Sequence, residues 1–524
     1  MTLKPPHPGS LVAIAILALV AGGFIALATV GGGTPSLLSI GPYLWRVLAF
    51  SLIQATLSAA LSLALGIGLA LALARRRFPG RDVVLAILGS TMVMPTIVAV
   101  FAVFAVYGRS GWLADVLAVL GWTGGFSIFG YPGILIAHVF LNGPFVARIT
   151  LDGLNQVPAE HWRLAAALGF TPVQIFRHLD WPVLRGELPG VAGLIFLMCF
   201  KSFAIVLALG GGPSRSTLEV AIFEALKIDL DFGRVAWLAL IQLALCLSMT
   251  ALLHWAFTRP PVGHTIRSLV HRPDAKNRGL KILDAMVLVV SALFIAPLAF
   301  SVLTGFRSLP AVIDADLLRA FVTSLAIAGA AAILACGLAL ALASAARRRR
   351  IVLRSPRLAA LYDLLPDALL AVPPFALTAG LFLLIRRFGD PSTAGFVLLP
   401  LINGLAAVPF AYRYVAPRLL TTEERYGRVA ASLGITGWSK LAIMDWPELK
   451  RPLAAGFALA MALSFGDFGI VALFGGTELV TLPYLLYERL GAYRMDEASS
   501  VGLVIVFVAV ILAHASGRLS DARD

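Results

Sequence analysis

Charge is scarce in this chain. Of 524 residues, 13% are Asp, Glu, Lys or Arg and 59% belong to the hydrophobic set, with a mean hydropathy of +0.89. Ordinary soluble domains carry about 25% charged and 45–50% apolar residues. That shortage excludes a soluble enzyme and a disordered chain. Cysteine is scarce too: Cys199, Cys246 and Cys336 all sit in apolar runs without CxxC spacing, which excludes a secreted disulfide scaffold and reads as core packing. The dipeptide Gly-Lys is absent, so the chain holds no GxxxxGK[ST] phosphate-binding loop. No HExxH or comparable constellation argues for an intramembrane enzyme. No polar stretch is long enough for a fused nucleotide-binding or periplasmic-binding domain.

What the chain does have is long apolar runs. A spanning helix needs about 20 such residues, and twelve runs approach or exceed that length: 11–30, 47–74, 83–107, 134–147, 188–211 and 235–257, then 285–306, 320–346, 368–385, 394–412, 453–476 and 498–515. The expected fold is an all-α polytopic membrane protein of about twelve helices. The first run follows Lys4 and, at 20 residues with no clear small-residue cleavage site before Tyr43, reads as a retained span rather than a signal. Pro95, Pro373 and Pro374 are expected to kink their helices.

Net charge is +14. In a membrane chain this points to basic cytoplasmic loops beside anionic lipid rather than to nucleic acid. Arg75-Arg76-Arg77 follows the second run and Arg347 to Arg350 the eighth, while Arg259, Arg267, Arg272, Lys276, Arg278 and Lys281 lie between the sixth and seventh. The positive-inside rule then puts the even-numbered loops and both termini in the cytoplasm. Each Arg cluster reads first of all as a topology anchor.

The chain also repeats itself at an offset of 265 residues. RLAAALG at 163–169 meets RVAASLG at 428–434, Asp180-Trp181-Pro182 meets Asp445-Trp446-Pro447, and Phe203, Ile205, Val206 and Gly210 meet Phe468, Ile470, Val471 and Gly475. GLALALA occurs at 68–74 and at 337–343. Six spans per half give both repeats the same orientation, related by an axis along the membrane normal. The division expected is a first half at 1–257, a cytoplasmic linker at 258–281 and a second half at 282–524.

Within each half one loop stands out, at 155–187 and 420–452. Pro158-Ala159-Glu160 offers a helix start, Leu164, Ala165 and Leu168 one apolar face, and Gly169 a stop. Thr422-Glu423-Glu424 and Gly434 play those parts in the second copy. Two matched helices on the cytoplasmic face suit a symmetric soluble partner, although a helix lying on the membrane surface is the simpler alternative.

The pattern of Ala-Ala, then Gly, then a hydrophobic-Pro pair resembles the "EAA" loop of ABC importer permeases. That resemblance implies coupling helices at Arg163, Ala165, Ala166, Gly169 and Pro182 and at Arg428, Ala430, Ala431, Gly434 and Pro447. Both copies carry Arg where the family has Glu, and Glu160 or Glu424 stands one turn away. A narrower resemblance, to the bacterial thiamine permeases, rests on 107–113, 209–213, 450–454 and 466–475; fused ferric-iron permeases are next. The resemblance implies a type I importer subunit in the bacterial inner membrane, with no cofactor of its own. Its partners would be an ATPase, in two copies, that holds ATP and Mg, and a periplasmic substrate-binding protein. A secondary transporter would share the two-half architecture but has no need of repeated docking helices.

Ionisable residues inside spans are costly and so are functional candidates. Lys201 and Asp467 fall within apolar runs, and the repeat aligns Ser202 with Asp467. They are expected near the axis, either as a structural pair or facing a pathway where a carboxylate would suit the thiazolium cation of thiamine. His138 and Asn142 lie one turn apart on one face and read as hydrogen-bonding to a neighbouring helix or facing the same pathway. Asp363 and Asp367 suit the interface, and Glu219 and Glu478 could meet a docking protein outside.

Overall fold

A computed structural model describes residues 8–30, 37–121, 127–212, 215–256, 272–386, 391–475 and 479–521. Residues 258–271 of the expected linker, and Glu478, lie outside them. Among the described residues the regular structure is helical, with no strand. The principal helices are α1 (Pro8–Val30), α2 (Leu37–Arg75), α3 (Arg81–Ser90), α4 (Thr96–Tyr107), α5 (Tyr131–Leu154), α6 (Ala159–Ala167), α7 (Trp181–Phe200), α8 (Phe232–Ala256) and α9 (Arg278–Leu303). They continue with α10 (Ala315–Arg347), α11 (Pro356–Ala371), α12 (Pro374–Arg386), α13 (Pro391–Ser432), α14 (Trp446–Phe465) and α15 (Met495–Asp521).

Among the described residues ten stretches are long and apolar enough to cross a membrane, or eleven if the bent pair α11–α12 is one span. Twelve were expected, and the differences have local causes. The run at 83–107 is not one helix: α3 ends in a single 3₁₀ turn at Thr91–Val93, and Pro95, with extended backbone, caps α4. At Pro373 the chain turns by 87° between α11 and α12. A proline has no N–H for the ladder and clashes with the preceding turn, so both prolines end one helix and start the next. The short run at 134–147 belongs to a 24-residue helix, α5. Its last turns carry an Arg148–Asp152 pair at i, i+4, 3.1 Å apart, which ended the apolar run but supports the helix. The run at 453–476 corresponds to α14, which is not among the ten; its first turns hold Glu448, Lys450 and Arg451, and it stops at Phe465.

Contacts between Cα atoms group the chain into two compact units. One comprises Gly41–Thr217 and Ser248–Gly305. Within it α2 and α5 cross with their backbones touching: a Cβ on Gly66 would fall 2.5 Å from Val146 Cβ and 2.7 Å from the Gly143 carbonyl oxygen. In lipid such close approach supplies the packing that a hydrophobic driving force would supply in water. Leu73, Ala147, Leu151 and Leu154 continue the seam. The start of α9 is tied to the end of α2, where buried Asp284 accepts from Arg75 Nη2 and Arg76 Nε, each at 2.6 Å.

The other unit comprises Met1–Ile40, Leu218–Leu247 and Phe306–Asp524, so it takes helices from both ends of the chain. Ala332 and Ala335 of α10, Ala407 of α13 and Ala460 of α14 form its small-residue core. α1 packs on α10 and α12, and Ser10 Oγ lies 2.8 Å from the Tyr362 hydroxyl of α11.

Candidate functional site

The two repeated loops fold alike from Ala165 and Ala430 onward. Phe170 N–H donates to Ala165 O at 3.0 Å and Gly169 N–H to Ala166 O at 3.2 Å; Ile435 to Ala430 (2.9 Å) and Gly434 to Ala431 (3.2 Å) repeat the pattern. This pair of bonds closes a helix when the residue after the cap is left-handed, and Gly169 and Gly434 have φ of +65° and +64°. Each loop then makes a four-residue helix and a π-helical turn, at Phe176–Asp180 and Leu441–Asp445. The entries differ. α6 begins at Ala159 behind Pro158, as expected. In the second copy no helix starts at Thr422: α13 runs unbroken from the membrane to Ser432, because nothing there matches Pro158.

The faces of these helices also need correcting. Ala165 does not share a surface with Leu164 and Leu168. Ala165 and Trp162 turn inward against Ile175, and Ala430 is likewise buried. Leu164 and Leu168 point outward with Ala166, as do Val429 and Leu433 with Ala431. Val173 and Trp181 extend the exposed apolar surface of the first loop; Trp438 (81% exposed) and Trp446, at the same offset, extend that of the second. Arg163, Arg428, Pro182 and Pro447 are exposed as well.

Beneath each surface lies a buried acid held by an arginine from elsewhere. Asp180 is 1% exposed and accepts from both ends of the Arg272 guanidinium, at 3.0 and 2.7 Å. Arg272 also grips Asp274, at 3.1 and 3.0 Å, and stacks 4.4 Å over the Trp162 ring. Burial works against its charge, but the bonds from Asp180 and Asp274 outweigh it and hold the guanidinium above its ordinary pKa. In the second copy Arg347 Nη1 donates to buried Asp445 at 2.7 Å. Buried Glu423 joins it, 3.6 Å from Arg347 and 2.6 Å from Lys440 Nζ. Glu160 and Glu424 do not take this part: both are exposed, with no ion pair among the described residues. A buried carboxylate is tolerated only when paired, and in both copies the Asp of Asp-Trp-Pro has an arginine partner. Sequence reasoning saw the repeated Asp but took Arg272 and Arg347 for topology anchors; their separation from the acids, 92 and 98 residues, hid the pairing.

A second matched feature lies where the loops lead. α7 ends at Phe200, and a new helical turn starts at Ala204; α14 ends at Phe465, and another starts at Val471. Lys201, Ser202 and Asp467 therefore occupy breaks rather than continuous spans. A break frees backbone donors that lipid cannot satisfy. Asp467 Oδ2 accepts from the Ile470 N–H at 3.3 Å, and Asn403, which donates to Ser464 Oγ at 3.0 Å, lies beside it. At the first break the buried Ser202 Oγ has no partner among the described residues.

His138 and Asn142 face neighbouring helices. His138 Nδ1 lies 2.8 Å from Ser58 Oγ of α2, and Asn142 Nδ2 donates to Cys199 Sγ of α7 at 3.3 Å. Gln54 Nε2 joins them through the Cys199 carbonyl at 2.9 Å. These bonds knit α2, α5 and α7 at one level. Asp363 accepts from the Tyr412 hydroxyl and from Arg350 at 2.5 Å each, and Glu219 accepts from Gln242 at 2.9 Å.

Residues 62–259 match the family model described as "Binding-protein-dependent transport system inner membrane component". The thiamine transport system permease protein of Brucella melitensis is 38% identical over 532 residues, covering 99% of this chain and 96% of the relative. The proteins of that name from Salmonella typhimurium and Escherichia coli are 41% and 40% identical, each covering 90% of this chain and 88% of the relative. With its many apolar helices the chain is a multi-pass inner membrane protein and a transport subunit. Identity at this level over nearly the full length, together with the two matched loops, means that the chain belongs to the thiamine transport system permease family of binding-protein-dependent importers.

Proposed function

We propose that this chain is the membrane-spanning permease of a bacterial thiamine importer, moving thiamine or its phosphates by ATP-driven alternating access. The relatives' shared name supports the substrate. The observation that carries the coupling half of the reading is the pair of repeated loops. Each presents exposed apolar side chains at matched positions, Leu164, Leu168 and Val173 against Val429, Leu433 and Trp438, and each is anchored from below by a buried Asp–Arg pair.

Two such surfaces fit a dimeric ATPase, one loop to each copy, with ATP and Mg held by that partner. The basic loops support a cytoplasmic position for this face and both termini. ATP binding draws the two loops together and opens the chain toward a periplasmic binding protein; hydrolysis resets it. Work is done only if the ATPase binds the loops with different affinity in its two states. Lys201, Ser202 and Asp467 are the proposed pathway residues, with Asp467 the group suited to a thiazolium cation.

Purification of the tagged permease from native membranes in mild detergent, with identification of what accompanies it, tests this reading. An ATPase and a thiamine-binding protein are expected. An iron-binding protein in place of the thiamine-binding one would keep the architecture and overturn the substrate; a permease that carries no ATPase would overturn the coupling role.

A further inference from the structure

Beside the first loop the ends of α2 and α5 and the start of α3 enclose a cavity of about 250 Å³. Four arginines, Arg77, Arg81, Arg148 and Arg272, line it against the single acid Asp152. Its wall is apolar: Leu73, Leu151 and Leu154 belong to the α2–α5 seam, and Leu85 packs against them.

Two of these arginines are already committed, Arg272 to Asp180 and Asp274 and Arg148 to Asp152. The other two are not. The Arg77 side chain is exposed and makes no bond among the described residues, and the half-buried Arg81 side chain donates there only to the Leu73 carbonyl oxygen, at 3.3 and 3.0 Å. Burial and the nearby charges of Arg77 and Arg148 outweigh Asp82 and hold Arg81 below its ordinary pKa. Cations are thus gathered where they repel one another around a space the protein leaves open. A planar guanidinium suits phosphate oxygens, and a basic pocket at the ends of spanning helices is a setting in which anionic headgroups are held.

We propose that this cavity binds the phosphate of an anionic ester, held by Arg77 and Arg81. The apolar lining favours a phospholipid as the source, with the acyl side of its phosphate against Leu73 and Leu85. Occupation would bridge the ends of α2, α3 and α5 and bear on α6 through Trp162, which lines the same space. Lipid at this point would set how firmly the first loop is held, independently of which solute the permease carries.

Native mass spectrometry of the purified full-length permease tests the proposal. Delipidated protein in detergent receives dioleoylphosphatidylglycerol or dioleoylphosphatidylcholine, and a parallel sample receives inorganic pyrophosphate. Wild type should retain phosphatidylglycerol over phosphatidylcholine, and R77Q/R81Q should weaken that retention by about tenfold for each guanidinium lost, the scale of a hydrogen bond to a charged group. R425Q, which alters an exposed arginine of the other unit, should leave it unchanged. Wild-type binding of pyrophosphate without selective lipid retention, abolished in R77Q/R81Q, would support the phosphate site with a soluble ester as its source. Equal retention of both lipids by wild type and variant, with no pyrophosphate bound, overturns the proposal. Should R77Q/R81Q fail to fold, because Arg81 holds the end of α2, R77Q removes only an unbonded side chain and carries the same test with about a tenfold loss.

Discussion

Replacing Arg272 with Met should open the first loop and leave the second intact. Arg272 and Asp180 are 6% and 1% exposed and share a two-point contact at 3.0 and 2.7 Å. Removing the guanidinium strands the buried carboxylates of Asp180 and Asp274, which for a broken buried pair costs about 3–5 kcal/mol. Loss of the stack on Trp162 adds about 0.5–2 kcal/mol. Since the loop can open without the membrane helices unfolding, the assay is amide hydrogen exchange across 159–181, read against 430–446 in the same molecule. An opening free energy lowered by about 3–5 kcal/mol speeds exchange in the first loop by about two to four orders of magnitude. Adding Asp180→Asn to Arg272→Met should recover part of the loss, because one stranded charge is neutralised. Exchange within about threefold of wild type in R272M (a change of about 0.6 kcal/mol), or no recovery in R272M/D180N, would refute the claim that this pair anchors the loop.

The same logic predicts a milder effect in the second copy. Arg347→Met removes one bond to Asp445 and a longer pair with Glu423, which keeps Lys440, from an arginine 14% exposed on its side chain, so a loss of about 1.5–3 kcal/mol should appear in the exchange of 436–446. Gly66→Leu drives a side chain into Val146 and the Gly143 carbonyl; overpacking of about 1–3 kcal/mol or more should lower the temperature of inactivation in detergent, and an unchanged midpoint would show that the crossing is looser than described. Leu168→Asp/Leu433→Asp alters only exposed groups, so the permease should fold normally while its affinity for the ATPase, measured by co-purification or light scattering, falls at least about tenfold. Asp467→Asn keeps a group able to accept from Ile470 N–H but removes the charge: folding should persist and uptake of thiamine should fall, whereas uptake at the wild-type rate would leave Asp467 a backbone cap only.

Much of this was legible in the sequence. Apolar run length reveals helices that span, and the 265-residue offset found the two loops and the glycines that end their first helices. What run length cannot reveal is a break inside an apolar stretch: Leu188 to Gly211 reads as one span, yet the chain interrupts it at Lys201. The polar residues at Lys201-Ser202 and Gly466-Asp467 are the visible signal, and run length alone makes them charges within helices rather than places where helices stop. The inward and outward sides of α6 were confused for a related reason. In a helix this rich in Ala and Leu several faces are apolar, and only Trp162, three residues before Ala165, marks the buried one. The partners of Asp180 and Asp445 were out of reach, since a distant arginine among 42 basic residues carries no local mark of the acid it will meet. Membrane proteins place most of their arginines for topology, and that rule concealed the two that anchor the loops.

The most direct test of the central claim is uptake of radiolabelled thiamine into proteoliposomes that contain this permease with the proposed ATPase and the proposed binding protein, ATP being supplied on the ATPase side. Accumulation that requires ATP and the binding protein, and is lost in the Leu168→Asp/Leu433→Asp variant, is the result the account predicts. Accumulation that follows an ion gradient without ATP, or that survives in that variant, would contradict it.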